Sequence, residues 1–319
     1  MPNLSNQNIS VIILSYKKFA ETTAACFRSL TLDPQFPEWE VIIVDNASGP
    51  DTRQSLKKLA DQYSTVRLVL NETNLGFAGG MNAGLREATG DVICLLNSDT
   101  MAATGAMGRM ANQLRGDKRV GLVGPVTNAA GNEQKIFLES EGPGEQIIAE
   151  GERFANCGSG EKILAYRLDF CAVAIKREVV EAIGGLDESF GRGYYEDFDY
   201  SLRAKLAGFE LEVAEDAFIY HQGSASFGPV SSEMKALIAA NKDRITQQHG
   251  RSTLFHHVRD ANLSVLRQYA EQMKVGQSPP DYRIRNRLKL SEAEQPRSPL
   301  KRWRYKRRLA SVIRSLELA

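Results

Sequence analysis

Residues 91–99 read DVICLLNSD, an apolar run of strand length that stops on Asn97, Ser98 and Asp99. A continuous apolar run bounded by polar residues is the pattern of a strand covered on both faces. The pattern recurs upstream. Residues 9–15 (ISVIILS) run into Tyr16, and 39–44 (WEVIIV) run into Asp45 and Asn46. Helical periodicity fills the gaps at 20–30, 52–63 and 79–88, with one more strand at 66–70. Buried strands alternating with amphipathic helices predict an α/β fold with a mainly parallel central sheet. Ligands of such sheets sit beyond the carboxyl ends of the strands. Ser15, Tyr16, Asp45, Asn46, Asn97, Ser98 and Asp99 all fall at those ends, which makes them the first candidate site residues.

Downstream, a helix after 103 leads to a strand at 120–123, and the Gly-, Asn- and Glu-rich stretch 127–160 reads as a long irregular loop. Loops of that length in a compact domain are usually binding segments or lids. Strands are expected at 167–175 and 212–220, with a helix at 196–207 between them and His221 just past the last strand. From 231 the pattern is helical and polar. The four prolines in 276–300 suggest a linker, and a basic helix closes the chain at 300–318. The expected division is a main domain at 1–230, with one half at about 8–125 and a second at about 126–230. A helical extension would then occupy 231–319.

The 319 residues are 42% hydrophobic and 25% charged, enough apolar material for a sizeable core. The net charge of +1 hides a strongly basic C-terminal end, which implies an anionic partner for the tail rather than for the whole chain. The four cysteines form no CxxC pair, and Cys94 and Cys171 sit in apolar runs, as small buried hydrophobes of a reducing compartment do. The polar N-terminus lacks an apolar signal core, and no run approaches the ~18 residues that span a bilayer. A cytoplasmic location is expected.

Three groups could carry chemistry. Asp99, with Asn97 two positions earlier, suits an oxygen-loving cation such as Mg²⁺ or Mn²⁺; the plainer reading is a strand-end turn. The run NLGFAGGMNAG from Asn74 to Gly84 opens a helix whose backbone N–H groups could cradle a diphosphate, although glycine-rich turns are common. Neither the P-loop nor the dinucleotide fingerprint is present. Glu196, Asp197 and Asp199 load the first turn of a helix, which favours the helix dipole and also suits a general base. His221 is a further candidate metal ligand, and the plainer reading is a structural histidine.

Together these segments resemble the family 2 glycosyltransferases of the GT-A fold. The resemblance rests on ISVIILSYKK, VIIVDNAS, NLGFAGGMNAGL, LLNSDT, GGLDESFGRGYYEDFDYSLRAKLAGF and FIYHQGSAS, in that order over about 8–228. It leans toward the bacterial rhamnosyltransferase-like branch of polysaccharide assembly. The resemblance implies an inverting hexosyltransferase that moves a sugar from a nucleotide-diphosphate donor, dTDP-rhamnose or a UDP-sugar, to a hydroxyl of a glycan or lipid-linked acceptor. It assigns Ser15, Tyr16, Asp45 and Asn46 to the nucleotide, and Asn74, Gly76, Gly79 and Asn82 to the ribose and diphosphate. Asn97 and Ser98 join the donor site, Asp99 binds the metal with His221, and Asp197 is the base beside Glu196. Asn97 departs from the family's Asp-x-Asp pattern, so metal binding would lean on the donor phosphates.

Two other classes stay open. A sugar nucleotidyltransferase would carry a glycine-rich basic loop after the first strand, where this chain has SYKKF at 15–19. A non-catalytic nucleotide-sugar-binding protein need not keep both Asp99 and Asp197. The basic helix, with Trp303, Tyr305, Leu309, Val312 and Ile313 among its cations, could lie on an anionic membrane surface. It could equally pack on its own domain or on a second subunit. No accompanying fold signature favours nucleic acid.

Overall fold

A computed structural model describes residues 9–142, 144–158, 162–223, 231–250 and 257–318. The end of the FIYHQGSAS motif, 224–226, lies outside the described residues. The chain begins with β1 (Ile9–Ser15), α1 (Thr23–Thr31), β2 (Glu40–Asp45), α2 (Pro50–Ala60), β3 (Val66–Leu70), α3 (Gly76–Glu87) and β4 (Val92–Asn97). It continues through β5 (Thr100–Ala102), α4 (Ala106–Gly116) and β6 (Val120–Val126). Next come α5 (Gly144–Asn156), β7 (Lys162–Leu164), β8 (Ala172–Lys176), α6 (Arg177–Ile183), α7 (Glu196–Leu206) and β9 (Glu210–His221). Four helices finish the chain: α8 (Ser232–His249), α9 (Val258–Lys274), α10 (Asp281–Ala293) and α11 (Pro299–Glu317).

All nine strands join one sheet in the order β3-β2-β1-β4-β8-β6-β9-β5, with β7 on β9. The pairs β1–β2, β1–β4, β2–β3 and β6–β9 are parallel, while β8, β5 and β7 run against their neighbours. The sheet is therefore mainly parallel. Register keeps the carboxyl ends level: Ser15 lies opposite Asp45, and Leu14 opposite Asn97. Tyr16, Asn46 and Ser98 thus emerge along one edge.

Both sheet faces are covered, which is why these strands carry no polar alternation. Ile12, Ile42, Val44, Ile93 and Leu95 pack on one side with Met81 of α3. Val11, Ile13, Val41, Ile43 and Leu96 pack on the other with Phe27 and Leu30 of α1 and Met110 and Leu114 of α4.

Two expectations are corrected. The stretch 127–160 is not loop throughout, because α5 occupies Gly144–Asn156 and buries Gly151, Phe154 and Ala155. A Cβ at Gly151 would stand 2.3 Å from the Phe218 ring of β9, so glycine there permits close packing instead of marking a loop. The stretch 276–300 is no linker either. Its prolines flank α10, which buries Arg283 and Arg287 completely. Those arginines sit in a stretch that reads as linker, yet an ion pair and backbone carbonyls hold them inside. Arg287 pairs with the fully buried Glu215 at 2.7 Å, and Arg283 donates to the carbonyls of Ala155 and Gly158 at 3.0 Å.

The strand expected at 167–175 begins at Ala172, and its first half runs as a non-strand segment along the sheet edge. Residues of α9 and α11, among them Leu266, Tyr269, Tyr305, Leu309 and Val312, share the main core with the sheet. The apolar side of the basic terminal helix is thereby buried. Among the described residues no helix is long and apolar enough to cross a membrane.

Candidate active site

A cleft of about 550 Å³ opens at the carboxyl edge of the sheet. One wall is Tyr16 after β1, Asn46 after β2, Asn74 and Gly76 at the mouth of α3, and Asn97, Ser98 and Asp99 after β4. The opposite wall is Arg167 and Asp169 before β8, His221 at the end of β9, and residues 192–198 at the start of α7. Ile238 of α8 completes it.

The loops after β2 and before α3 are fixed by side-chain amides. Asn46 donates from Nδ2 to Asn74 Oδ1 at 3.1 Å and to the Gly76 carbonyl at 2.9 Å, and its Oδ1 accepts from the Leu75 N–H at 3.0 Å. Gly76 has φ +73°, and a Cβ there would stand 2.2 Å from the Gly191 carbonyl oxygen. The loop before α3 therefore touches the segment leading to α7. Tyr16 has its phenol pKa lowered, first by hydrogen bonding with Lys17 and then with Asn74, against a smaller effect of burial.

Four expected site residues do not line the cleft. Ser15 is buried with its hydroxyl 2.8 Å from that of Thr23. Asp45, also buried, accepts from Arg53 Nε at 2.9 Å and from the Ser48 N–H, so it shapes the turn after β2. Gly79 makes room for Leu75, whose Cβ would lie 2.8 Å from an added Cβ. Asn82 donates to the Leu186 carbonyl at 2.9 Å and to Glu188 at 2.8 Å, pinning the turn ahead of α7. These four support the site from behind.

Asp99 and His221 meet across the β5–β9 pairing, with Oδ1 and Nε2 3.4 Å apart. The histidine backbone is clamped by Asn128, which donates to its carbonyl and accepts from its N–H, both at 2.8 Å. Burial opposes a charge on His221, but the neighbouring Asp99 and Cys171 outweigh it and push its pKa up to about 11. Protonated His221 forms an ion pair with Asp99, and a metal ion bound here would have to displace that proton, because imidazole ligates metals in its neutral form. A carboxylate and an imidazole suit Mn²⁺ or Mg²⁺. The buried His221 Nδ1 has no hydrogen-bond partner. Among the described residues no three His, Cys, Asp or Glu side chains cluster for a metal, so other ligands would have to come from phosphate oxygens and water.

Glu196 and Asp197 open α7 on the far wall. Burial, then the Asp197 charge, raises the Glu196 pKa; burial, then Asp169, raises that of Asp197. Arg167 works the other way, with Nη1 4.0 Å from Asp197 Oδ2 while it also pairs with Asp169. Glu196 Oε2 is buried with no partner, an acceptor that a substrate hydroxyl could satisfy. Arg167 and Asp169 were not among the expected site residues. They sit in a stretch that reads as strand, and nothing in its composition marks the bend that turns them to the cleft.

Strain gathers at the same edge. Among the described residues the non-glycine positions with positive φ are Lys17, Lys18, Ala47, Tyr194 and Tyr195, all in loops bordering the cleft. Such conformations persist only where surroundings hold them, and they collect at functional sites.

The nine-stranded sheet with its cleft at the carboxyl edge is the scaffold of GT-A glycosyltransferases. Solved structures with this architecture include GalNAc-T7 with UDP, GalNAc and Mn²⁺ (TM-score 0.58, 14% identity, covering 76% of this chain and 48% of that one). Another is the mannosyltransferase PcManGT from Pyrobaculum calidifontis with GDP-Man and Mn²⁺ (TM-score 0.53, 17% identity, covering 97% and 76%). At such identities the likeness is one of fold. The model of "Glycosyl transferase family 2" matches residues 10–183, more than half of the chain, and the protein belongs to that family.

Relatives include the probable glycosyltransferase YdaM of Bacillus subtilis, 25% identical over 189 residues, 57% of this chain and 43% of that protein. The UDP-Glc:alpha-D-GlcNAc-diphosphoundecaprenol beta-1,3-glucosyltransferase WfgD of Escherichia coli is 29% identical over 155 residues, 48% of this chain and 57% of its own length. The amylovoran biosynthesis glycosyltransferase AmsB of Erwinia amylovora is 27% identical over 231 residues, 67% and 69%. The chain thus spans about half the length of the first two. Glu196 and Asp197 lie beyond the segment matched by the family model.

Proposed function

We propose that the protein is an inverting glycosyltransferase that moves a sugar from a nucleotide-diphosphate donor to a hydroxyl of a glycan or lipid-linked acceptor in bacterial surface-polysaccharide synthesis. One observation carries the reading: a single cleft holds both a candidate metal-ligating pair, Asp99 and His221, and a carboxylate pair with raised pKa values, Asp197 and Glu196. Inverting transfer needs those two functions and no covalent intermediate.

Tyr16, Asn46, Asn74, Gly76, Asn97 and Ser98 would bind the nucleotide and diphosphate. Asp197 would take the acceptor proton as its oxygen bonds to the anomeric carbon, while the bond to the nucleotide diphosphate breaks on the opposite side. Glu196 would orient a sugar hydroxyl. A divalent ion at Asp99 and His221, when bound, would offset the charge growing on the leaving diphosphate. The donor would be dTDP-rhamnose or a UDP-sugar. WfgD, a relative named for a UDP-glucose donor and a diphosphoundecaprenol acceptor, supports the second and the lipid-linked class of acceptor.

Asp99→Ala tests the cation site: the metal-dependent part of donor binding should fall at least tenfold, about 1.4 kcal/mol. An identical Mn²⁺ response in the variant would refute the assignment. Arg167→Met tests the base. Losing the cation that lowers the Asp197 pKa should raise it further, so the acid limb of kcat/KM should move to higher pH. A limb that stays put or moves down would exclude Asp197 as the titrating group.

We further propose that α11 docks the enzyme on an anionic membrane at the cytoplasmic face. Tyr305, Leu309 and Val312 are buried in the protein, so the docking face would be the opposite one. It carries exposed Leu300 and Trp303, with Arg307 stacked 4.9 Å over the indole. Arg304, Arg307 and Arg314 pair with no carboxylate among the described residues, which leaves their charge for lipid headgroups. The full chain should float with anionic vesicles and not with neutral ones, and Arg304→Glu with Arg307→Glu should abolish flotation. Unchanged flotation of that variant would remove the membrane role.

A further inference from the structure

The start of α7 is not held by its own sequence. Its N-cap residue Tyr195 has φ +78°, preceded by Tyr194 at φ +73°, and no side chain caps the helix. Left-handed geometry costs a non-glycine residue about 1–2 kcal/mol, and the stabilising Ser, Thr, Asp or Asn cap is missing. Yet Glu196 and Asp197 are aimed by this turn, and Gly191 within the same segment touches the donor loop at Gly76.

The support comes from α8, outside the segment matched by the family model. Asn241 is buried, and its side-chain Nδ2, with two N–H groups to share, lies within hydrogen-bonding distance of three carbonyls of this one turn: Phe190 at 2.9 Å, Gly193 at 3.0 Å and Tyr194 at 3.0 Å. One amide can reach three carbonyls only if the turn curls round it, and those carbonyls would otherwise be partly orphaned. The same face of α8 presents Ile238 to the cleft and Ile245 to Phe190 and Phe198. Gln248 donates to Asp187 at 3.1 Å, and His249 Nε2 lies 2.7 Å from Asp199 Oδ1. Residues 238, 241, 245 and 248–249 are spaced by three or four, the spacing of one helical face.

We propose that Asn241 is a positioning residue that sets the acceptor end of the cleft, bracing the turn that leads into α7 and holding Tyr194 and Tyr195 where they wall the path to Asp197. The donor loops are fixed separately by Asn46 and Asn74, so the two substrates should respond differently to its loss. The kinetic part of this inference rests on the glycosyltransferase reading; the structural part does not.

Hydrogen exchange of the full chain tests the structural part first. In Asn241→Ala, amides of 190–199 should exchange about tenfold faster or more, while those of β1 and β4 stay as in wild type. Uniform loss of protection, or none, would overturn the proposal whatever the protein catalyses. Steady-state kinetics then separate the roles. Asn241→Ala should lower kcat about ten- to a hundredfold, as misplacement by about an ångström does, and raise the acceptor KM with donor KM within about twofold. Gln248→Ala, which removes another α8 anchor, should keep wild-type kinetics. An equal rise in both KM values, or the same kinetic loss in Gln248→Ala, would reduce Asn241 to general packing. If locally faster exchange in Asn241→Ala accompanies a wild type inert with every donor and acceptor, the functional reading fails and the brace stands.

Discussion

Asp197→Asn should leave donor binding within about twofold of wild type while transfer falls by ~10²–10⁴, the usual contribution of a positioned base. The substitution keeps shape and removes the proton acceptor. The backbone N–H of Phe198 donates to Asp197 Oδ1 at 2.7 Å, and an asparagine oxygen can accept the same bond, so the turn should survive. Glu196 cannot readily substitute: it is more deeply buried, and burial together with the Asp197 charge already holds its proton. Isothermal titration with donor and a coupled release assay measure the two halves. Transfer at the wild-type rate would move the base elsewhere in the cleft. Loss of donor binding with transfer would make Asp197 a donor ligand.

Arg287→Met should cost about 3–5 kcal/mol of stability, the range for breaking a buried ion pair from one side. Arg287 and Glu215 are both fully buried. The guanidinium also donates to the carbonyls of Glu133 at 3.0 Å and Lys135 at 2.6 Å, while Tyr269 donates to Glu215 at 2.6 and 2.7 Å. Removing the arginine strands one carboxylate and two carbonyls in the core. Replacing all three with apolar residues of like size (Arg287→Met, Glu215→Leu, Tyr269→Phe) should recover much of the loss, because no charge is then left buried alone. Urea unfolding gives both numbers. A loss below about 1 kcal/mol for the single variant would mean that α10 is a separable appendage rather than part of the catalytic core.

The reading from sequence succeeded where burial on two faces leaves a signal. The strand at 66–70 has the expected bounds, and β1, β2 and β4 end beside Tyr16, Asn46 and Ser98, which line the cleft. The start of α7 at Glu196 was visible because its acidic turn follows a glycine-rich stretch. It failed where polar residues do the work of a core. Arg283 and Arg287 sit in a stretch that reads as linker, and only Glu215 and carbonyls distant in sequence make them interior. The glycines of 142–151 hid a helix that needs one of them for contact with Phe218. Ser15 and Asp45 at the strand ends, and Gly79 and Asn82 in α3, stand where the sequence placed them, and in this structure they hydrogen-bond or pack within the protein. Asn241 had no local pattern at all, because its meaning lies in three carbonyls some fifty residues upstream.

The central claim is that the cleft binds a nucleotide-diphosphate sugar with help from a cation at Asp99 and His221. Calorimetric titration of the full chain with UDP-, dTDP- and GDP-sugars, each with and without Mn²⁺, tests it directly. One nucleotide class should bind in the micromolar range with the metal and at least tenfold more weakly without it, and Asp99→Ala should erase the difference. Absence of binding by every donor in the presence of Mn²⁺, from a folded sample, would contradict the account.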